Sequence, residues 1–241
     1  GLLLGGWSLF GLLALVPFTD PTAQSTSSWC GIAQATSLTT LRVIGTLFLG
    51  VLWAVPVGLA IGRSLRWSRR LQPVVQVAAS FPAPMLFPLC LMIFHALALP
   101  LGVGAMVLML LGAQWYILFN VIAGAQAIPG ELHEVAKSFR LTRWQCFVRV
   151  ELPAILPALV TGLITGAGGA WNASVVAEYL TWRDHVYSVV GLGATISSAA
   201  EHADYPTLAA AVLTMAVLVV LINQLLWRRV RRFAEIRYSL A

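Results

Sequence analysis

The chain has 241 residues, of which 59% are hydrophobic and only 10% are charged. Water-soluble domains carry about a quarter charged residues, so the composition excludes a soluble enzyme and places most of the chain in a lipid bilayer. The net charge of +6 does not indicate nucleic-acid binding, because the arginines lie in short segments between apolar runs.

Apolar runs of about 20 residues predict membrane-spanning helices. The chain contains six such runs, which predict an all-α polytopic membrane protein. In chain order they are Leu2–Phe18, Leu38–Gly62, Val74–Leu97, Leu101–Ile128, Ile155–Leu180 and Leu208–Trp227. The Ser- and Thr-rich segment Thr19–Thr36 is expected to be an irregular loop. The apolar start at Gly1, without a Met, suggests processing, a boundary, or a piece of a longer polypeptide.

Basic residues set the expected orientation of these spans. Thirteen of the fifteen Lys and Arg residues follow the second, fourth and sixth spans, and such loops face the cytoplasm. Both termini are therefore expected to be cytoplasmic, and only Arg42 and Arg183 remain for the outer side. A seventh span at Val186–Ala200 would put five arginines outside. That segment is instead expected to form a short helix or re-entrant piece in an extracytoplasmic loop, residues 181–205.

Two spans contain residues that modify helices. Pro82, Pro84 and Pro88 predict a break in the third span, because proline removes a backbone donor. This break fits a packing kink and a gate equally well. Small residues let helices approach closely, and the fifth span carries a group of them: Gly162, Gly166, Gly168 and Gly169.

The longest predicted cytoplasmic loop, Pro129–Pro153, contains an amphipathic segment. Apolar residues recur there at helical spacing, namely Leu132, Val135, Ala136 and Phe139. The periodicity predicts a short surface helix. It leaves two locations open, the bilayer interface and a groove of a soluble partner.

The loop resembles the EAA loop of permease subunits of binding-protein-dependent ABC importers. That pattern is Glu-Ala-Ala, three residues, Gly, nine residues, an aliphatic residue, any residue, Leu and Pro. The chain matches it, with Val135 as a conservative change, at Glu134, Ala136, Val150, Leu152 and Pro153. Arg140 stands at the Gly position. The six-span layout and the place of the loop between spans four and five extend the resemblance over the whole chain.

The resemblance implies a type I ABC importer permease fold. Residues 1–241 would form one transmembrane permease domain, with residues 129–153 as a coupling loop whose helix fits a groove of a cytosolic ATPase. The candidate ATPase contacts are Glu134, Ala136, Phe139, Arg140 and Leu141, while Leu152 and Pro153 would set the return into span five. Because Arg140 would be strained in the left-handed conformation that Gly permits, the turn is expected at another residue, or the helix runs on.

The implied partners lie outside this chain. The sequence has no phosphate-binding GxxxxGK loop, so ATP and Mg²⁺ are expected on a separate ATPase dimer, and this chain is expected to bind no cofactor and to be no enzyme. The family also implies an extracytoplasmic binding protein and a second permease half, identical, different or fused. The expected location is the bacterial cytoplasmic (inner) membrane.

The fifth span has the most unusual polar content. Its candidate substrate-path residues are Trp171, Asn172, Ser174 and Glu178. Trp171, Ser174 and Glu178 share a helix face, and an ionisable group near a membrane segment is a functional candidate. Solvation of Glu178 at the outer interface is the alternative.

The same stretch, with its Trp-Asn-Ala run, resembles permeases for nitrate, sulfonate, taurine and bicarbonate. The tail from Ala200 to Leu240 resembles anion permeases in which two such domains are fused, which suggests one half of a duplicated permease. Because the spans offer almost no basic residue except Arg42, charge selection is expected in the separate binding protein.

Two other function classes fit less well. An intramembrane enzyme needs a catalytic or metal-binding set, whereas the four histidines, His95, His133, His185 and His202, are scattered. An ion-coupled carrier usually has inverted repeats. The sequence shows no such repeat, and that function would leave the coupling loop unexplained.

Overall fold

The computed structural model describes residues 29–97, 100–182 and 185–238, which are predominantly helical. The predicted span Leu2–Phe18 lies outside the described residues, as do Arg183 and most of the predicted loop Thr19–Thr36. The elements are α1 (Trp29–Gly62), α2 (Leu65–Ser80), α3 (Ala83–Ala96), α4 (Leu101–Gln126), α5 (Gly130–Ser138), α6 (Arg143–Cys146), α7 (Leu152–Ala177), β1 (Tyr179–Trp182), β2 (His185–Ser188), α8 (Leu192–Glu201), α9 (Tyr205–Ile222) and α10 (Arg228–Tyr238). Two π-helical segments, Phe147–Glu151 and Asn223–Trp227, join α6 to α7 and α9 to α10.

Several of these helices are long and apolar enough to cross a membrane. Within the described residues there are four, at Trp29–Gly62, Leu101–Gln126, Arg143–Ala177 and Tyr205–Arg237. The pair α2 and α3 makes a fifth if the two form one broken span. Each predicted apolar run beyond residue 37 thus corresponds to one of these helices or to the broken pair.

Helix α1 begins earlier than the sequence indicated. The expectation of irregular structure is wrong for residues 29–36, which are helical. The hydroxyl of Thr36 donates to the carbonyl of Ile32 at 2.7 Å, and that of Thr40 donates to the carbonyl of Thr36 at 2.7 Å. Bonds of this kind satisfy the hydroxyls within their own helix, so a Ser- and Thr-rich composition did not prevent helix formation.

The predicted break in the third span is confirmed. Helix α2 ends at Ser80, α3 begins at Ala83, and Phe81 between them has an extended backbone (φ −73°, ψ 127°). A residue before proline is driven from the helical region, so Pro82 explains this conformation of Phe81. Pro88 remains inside α3.

The segment after α7 contains a β-hairpin that the sequence analysis did not predict. Strands β1 and β2 pair antiparallel, with Tyr179 opposite Ser188 and Trp182 opposite His185. Their aromatic and β-branched residues favour strands. Helix α8 has 10 residues, about 15 Å at 1.5 Å per residue, which is too short to cross a bilayer. A short helix was expected within Val186–Ala200; it is observed at Leu192–Glu201, whereas residues 186–188 belong to β2.

The chain divides into two compact units, each with its own packing. The described residues of the first unit are 29–49, 82–97, 100–113, 167–182 and 185–220, and those of the second are 50–81, 114–166 and 221–238. In the first unit, Ile32 of α1, Leu192 and Ile196 of α8 and Ala211 of α9 form a buried apolar cluster.

Close helix approach organises the second unit. A Cβ atom placed on Gly124 of α4 would lie 2.8 Å from the Cβ of Ala158 in α7, and one on Gly162 of α7 would lie 3.1 Å from the Cα of Ile117 in α4. Helices α4 and α7 therefore pack almost backbone to backbone, as expected for Gly162. Gly168, in the first unit, differs because a Cβ there would meet no atom of the described residues within 4 Å.

Candidate functional site

Helix α5 is the amphipathic helix predicted in the loop Pro129–Pro153. Glu131 lies in its first turn and Lys137 in its last turn, where their charges complement the helix dipole. At its end, the amide of Leu141 donates to the carbonyl of Ala136 at 3.0 Å, and the amide of Arg140 donates to the carbonyl of Lys137 at 2.9 Å. These two bonds form a Schellman motif, which ends the helix sharply.

Arg140 adopts the left-handed conformation that was expected at another residue. Its φ is 50°, in the left-handed region, so the turn occurs at the Gly position of the EAA pattern and the helix does not run on. The expectation of a displaced turn is wrong. The two Schellman bonds hold the backbone there, although left-handed geometry costs a non-glycine residue about 1 kcal/mol.

The apolar side chains of α5 do not all face the same way: some are buried in the protein and others are exposed. Ala136 is 5% exposed and faces the protein, whereas Val135 is 51% exposed and Phe139 is 75% exposed. Glu134 and Arg140 are exposed as well. Of the candidate ATPase contacts, Glu134, Phe139 and Arg140 are therefore accessible to a partner, Leu141 is half-buried, and Ala136 is not accessible.

A second exposed aromatic residue follows α5. Thr142 and Gln145 form a capping box that starts α6, and this places Trp144 with 71% of its surface exposed. Its ring centroid lies 5.4 Å from that of Phe147. Trp144 was not among the predicted partner contacts. A tryptophan close to a predicted amphipathic helix is the signal in the sequence, and the structure adds that this side chain is exposed. Leu152 and Pro153 lie at the start of α7, within the continuous helical segment Arg143–Ala177; their role in the return to the span stays a prediction.

The substrate-path candidate Glu178 occupies a buried polar cluster in the first unit. Its carboxylate accepts hydrogen bonds from Arg42 Nη1 at 2.6 Å and from the Thr39 hydroxyl at 2.9 Å, both on α1. All three side chains are almost fully buried. The alternative of a solvated Glu178 is wrong, because its side chain is fully buried. Its ion pair with Arg42 offsets the cost of removing the two charges from water.

The start of α8 completes this cluster. The amide of Gly193 donates to Glu178 Oε2 at 2.9 Å, and the amide of Leu192 donates to the Thr39 hydroxyl at 2.8 Å. Both amides belong to the first turn, where helix N–H groups lack partners. Thr39 of α1 and Glu178, directly after α7, thus cap α8, and Arg42 Nη1 also donates to the carbonyl of Val190 at 2.8 Å.

The other candidates in this span differ in burial. Trp171 and Ser174 are buried, and the Ser174 hydroxyl donates to the carbonyl of Trp171 at 2.7 Å. Asn172 is exposed, so it does not share their face. The shared face of Trp171, Ser174 and Glu178 is confirmed by their common burial.

A small cleft adjoins Glu178 in the first unit. Its lining includes Leu101, Ala105, Ala177 and Tyr187, and its volume is about 10 Å³. This is about the space of one water molecule. In this conformation the cleft is too small for an organic solute.

Long apolar helices, with an exposed amphipathic helix between two of them, define a multi-pass membrane protein. The chain matches the family described as "Binding-protein-dependent transport system inner membrane component" over residues 31–233. The chain belongs to this family, and it is a transport permease of the inner membrane.

Relatives agree with this assignment. The chain is 28% identical over 206 residues to the nitrate import permease protein NrtB of Leptolyngbya laminosa, covering 86% of this chain and 70% of that relative. It is 35% identical over 173 residues to the riboflavin transport system permease protein RibX of Chloroflexus aurantiacus, covering 68% and 60% respectively. The chain spans between 51% and 70% of the length of such curated relatives.

The fold is also found in a solved transporter. An inward-facing structure of the MetNI methionine ABC transporter aligns with a TM-score of 0.67 at 20% identity, covering 88% of this chain and 99% of the matched chain. This similarity shows a common fold and carries no information about substrate.

Proposed function

We propose that this chain is the permease subunit of an ATP-driven importer and that α5 is the coupling helix that docks on a separate ATPase dimer. The observation that supports this most strongly is the geometry of α5. The helix ends in a left-handed turn at the residue that aligns with the Gly of the EAA pattern, and it presents Val135 and Phe139 outward.

A soluble partner explains these side chains better than the bilayer interface does. Phe139, Val135 and Trp144 are exposed, but Glu134, Lys137 and Arg140 alternate with them. An interfacial helix separates its apolar and charged residues onto opposite faces. A mixed surface with aromatic anchors and charges around them is typical of protein interfaces.

The proposed topology has six spans with both termini in the cytoplasm. The segments that contain α5, the start of α2 and α10 carry the arginine-rich sequences, and the positive-inside rule places all three on one side. The β-hairpin and α8 then belong to an extracytoplasmic loop. In this arrangement α5 faces the compartment that holds ATP and Mg²⁺, which the ATPase would bind.

The proposed solute is a small anion such as nitrate, a sulfonate, taurine or bicarbonate, delivered by an extracytoplasmic binding protein. Similarity to a nitrate import permease supports an anion. Arg42, the basic residue of α1, is neutralised by Glu178, which supports charge selection by the binding protein rather than by this chain. The second permease half, identical, different or fused, would complete the pathway.

The test is co-purification of the full-length permease with the ATPase encoded beside it. Wild type is expected to retain the ATPase, whereas Phe139→Asp and Glu134→Lys lose it because they disrupt an exposed docking surface. Glu235→Lys is the control, because it reverses an exposed charge on α10. If wild type retains no ATPase in detergent or nanodiscs, α5 is an interfacial helix and an ion-coupled carrier becomes the better hypothesis.

Uptake into proteoliposomes tests the solute. With the cognate binding protein present, nitrate, taurine and bicarbonate are compared with riboflavin, because RibX is named for riboflavin transport. ATP-dependent uptake of one of the three anions supports the proposal. Uptake of riboflavin alone contradicts the anion assignment but leaves the permease assignment intact.

A further inference from the structure

A buried carboxylate connects three elements of the second unit. Glu151, the last residue of the π-helical segment before α7, is 3% exposed. Its Oε2 accepts a hydrogen bond from Nη2 of Arg63, which follows the end of α1. Its Oε1 lies 3.5 Å from Nε2 of His133 on α5. One side chain therefore contacts the end of α1 and α5 at the same time.

The position of Glu151 follows from the π-helical segment. A π-helical turn adds a residue to the helix and changes which side chains face inward, and such turns are frequent at functional sites. Here Glu151 is buried while Arg149, in the same segment, is exposed. The EAA pattern accepts any residue at this position, so the pattern itself does not explain a buried acid.

Few side chains of α5 are covered by the rest of the unit, because Ala136 is buried and Leu132 and His133 are half-buried among the described residues. Ala136 is its buried residue, and alanine offers little contact area. Lys137, the other basic residue of this helix, is exposed and makes no ion pair with Glu151 among the contacts described. Of the ionisable side chains of α5, His133 alone lies at ion-pair distance from this carboxylate within the described residues.

We propose that Glu151 is a positioning residue that links the coupling helix α5 to the end of α1, so that displacement of α5 by the ATPase moves α1 and α7 together. The proposal rests on the function proposed above. Energetic coupling requires contacts that keep two elements in a fixed relation as they move. The carboxylate supplies such a contact because its two oxygens engage α1 and α5 separately, and its own backbone continues into α7.

Hydrogen exchange on the full-length permease, without ATPase, tests the link itself. His133→Ala removes the α5 side of the cluster and leaves the Arg63 to Glu151 pair in place, so folding is preserved. Exchange of the α5 amides is expected to accelerate by roughly fivefold, the lower end of typical coupling effects. Glu131→Ala, an exposed change on the same helix, is the control. Unchanged exchange in His133→Ala overturns the proposal.

Transport by the complete complex tests the role in coupling. Glu151→Gln and His133→Ala are expected to retain the ATPase on co-purification but to transport roughly fivefold less solute per ATP hydrolysed. A variant that lowers only the yield of folded complex, with wild-type transport per ATP, shows a purely structural role and overturns the proposal. Failure of wild type to bind the ATPase contradicts the proposed function instead, and the hydrogen-exchange result still decides the link.

Discussion

Arg42 and Glu178, which are 136 residues apart in the sequence, form an ion pair with 2.6 Å between Nη1 and Oε1. Both side chains are almost fully buried. The Nε atom of Arg42 has no hydrogen-bond partner among the described residues, so its guanidinium depends on Glu178 and the Val190 carbonyl. The pair therefore ties α1 to the end of α7 and to the start of α8.

Removal of one member of this pair should destabilise the protein strongly. Glu178→Ala and Arg42→Ala each leave an unpaired buried charge, and we expect losses of about 3–5 kcal/mol in the free energy of unfolding. Denaturant unfolding in detergent measures this loss. The double variant Arg42→Met with Glu178→Leu should lose less than either single variant, because no charge remains buried. A double variant that loses the sum of the two single effects contradicts this account.

Arg140 offers a change that should stabilise the protein. Because its φ is 50°, Arg140→Gly removes left-handed strain of about 1 kcal/mol, which corresponds to roughly fivefold slower hydrogen exchange at the end of α5. The control is Lys137→Gly, one turn earlier in the same helix, where glycine should destabilise by roughly 0.5–1 kcal/mol. Equal effects of the two substitutions would contradict the assigned conformation.

Two glycines of α7 should respond oppositely to alanine. At Gly162 a Cβ would lie 3.1 Å from both the Ile117 Cα and the Tyr116 carbonyl oxygen, and overpacking of this kind typically costs about 1–3 kcal/mol. Gly168→Ala meets no atom of the described part of the chain, so the better helix propensity of alanine should stabilise by up to about 1 kcal/mol. Thermal unfolding of the two variants compares them. Destabilisation of Gly168→Ala would contradict the open space found around this position among the described residues.

Local sequence patterns predicted the long apolar helices beyond residue 37. The expected run Leu101–Ile128 is observed as Leu101–Gln126, because hydropathy and length alone determine which segments can cross a bilayer. The break at Pro82 was equally visible, since proline acts on its immediate neighbours. The early start of α1 was not visible, because the side-chain bonds that satisfy Thr36 and Thr40 form only once the helix exists.

The candidate site was predictable where its signal lies within one segment. The apolar spacing within the loop Pro129–Pro153 predicted the short helix that is observed as α5. The partners of Glu178 and Glu151 were not predictable, because Arg42 and Arg63 lie 136 and 88 residues away from them along the chain. Contacts between residues so far apart in the sequence depend on how the helices pack, and the periodicity of a single segment carries no information about that packing.

Tyr179 should titrate well above the usual range of tyrosine. Burial, and then the hydrogen bond to Glu201 and the charge of Glu201, raise the pKa of Tyr179 from 10.0 to about 12, against a smaller lowering by a hydrogen bond with Ser198. The hydroxyl of Tyr179 donates to Glu201 Oε2 at 2.6 Å. Because folding favours the neutral phenol, the stability that this group contributes is complete below pH 10 and is lost as the pH rises through 12.

Phenolate absorbance measures this titration. The difference between wild type and Tyr179→Phe should show a group with a pKa near 12. Glu201→Gln should lower that pKa toward 10 without reaching it, because burial remains the largest cause of the shift. Glu235→Gln removes an exposed carboxylate from α10 and should leave the titration unchanged. A difference titration centred at pH 10 in wild type would show that the hairpin and α8 do not bring these two side chains together.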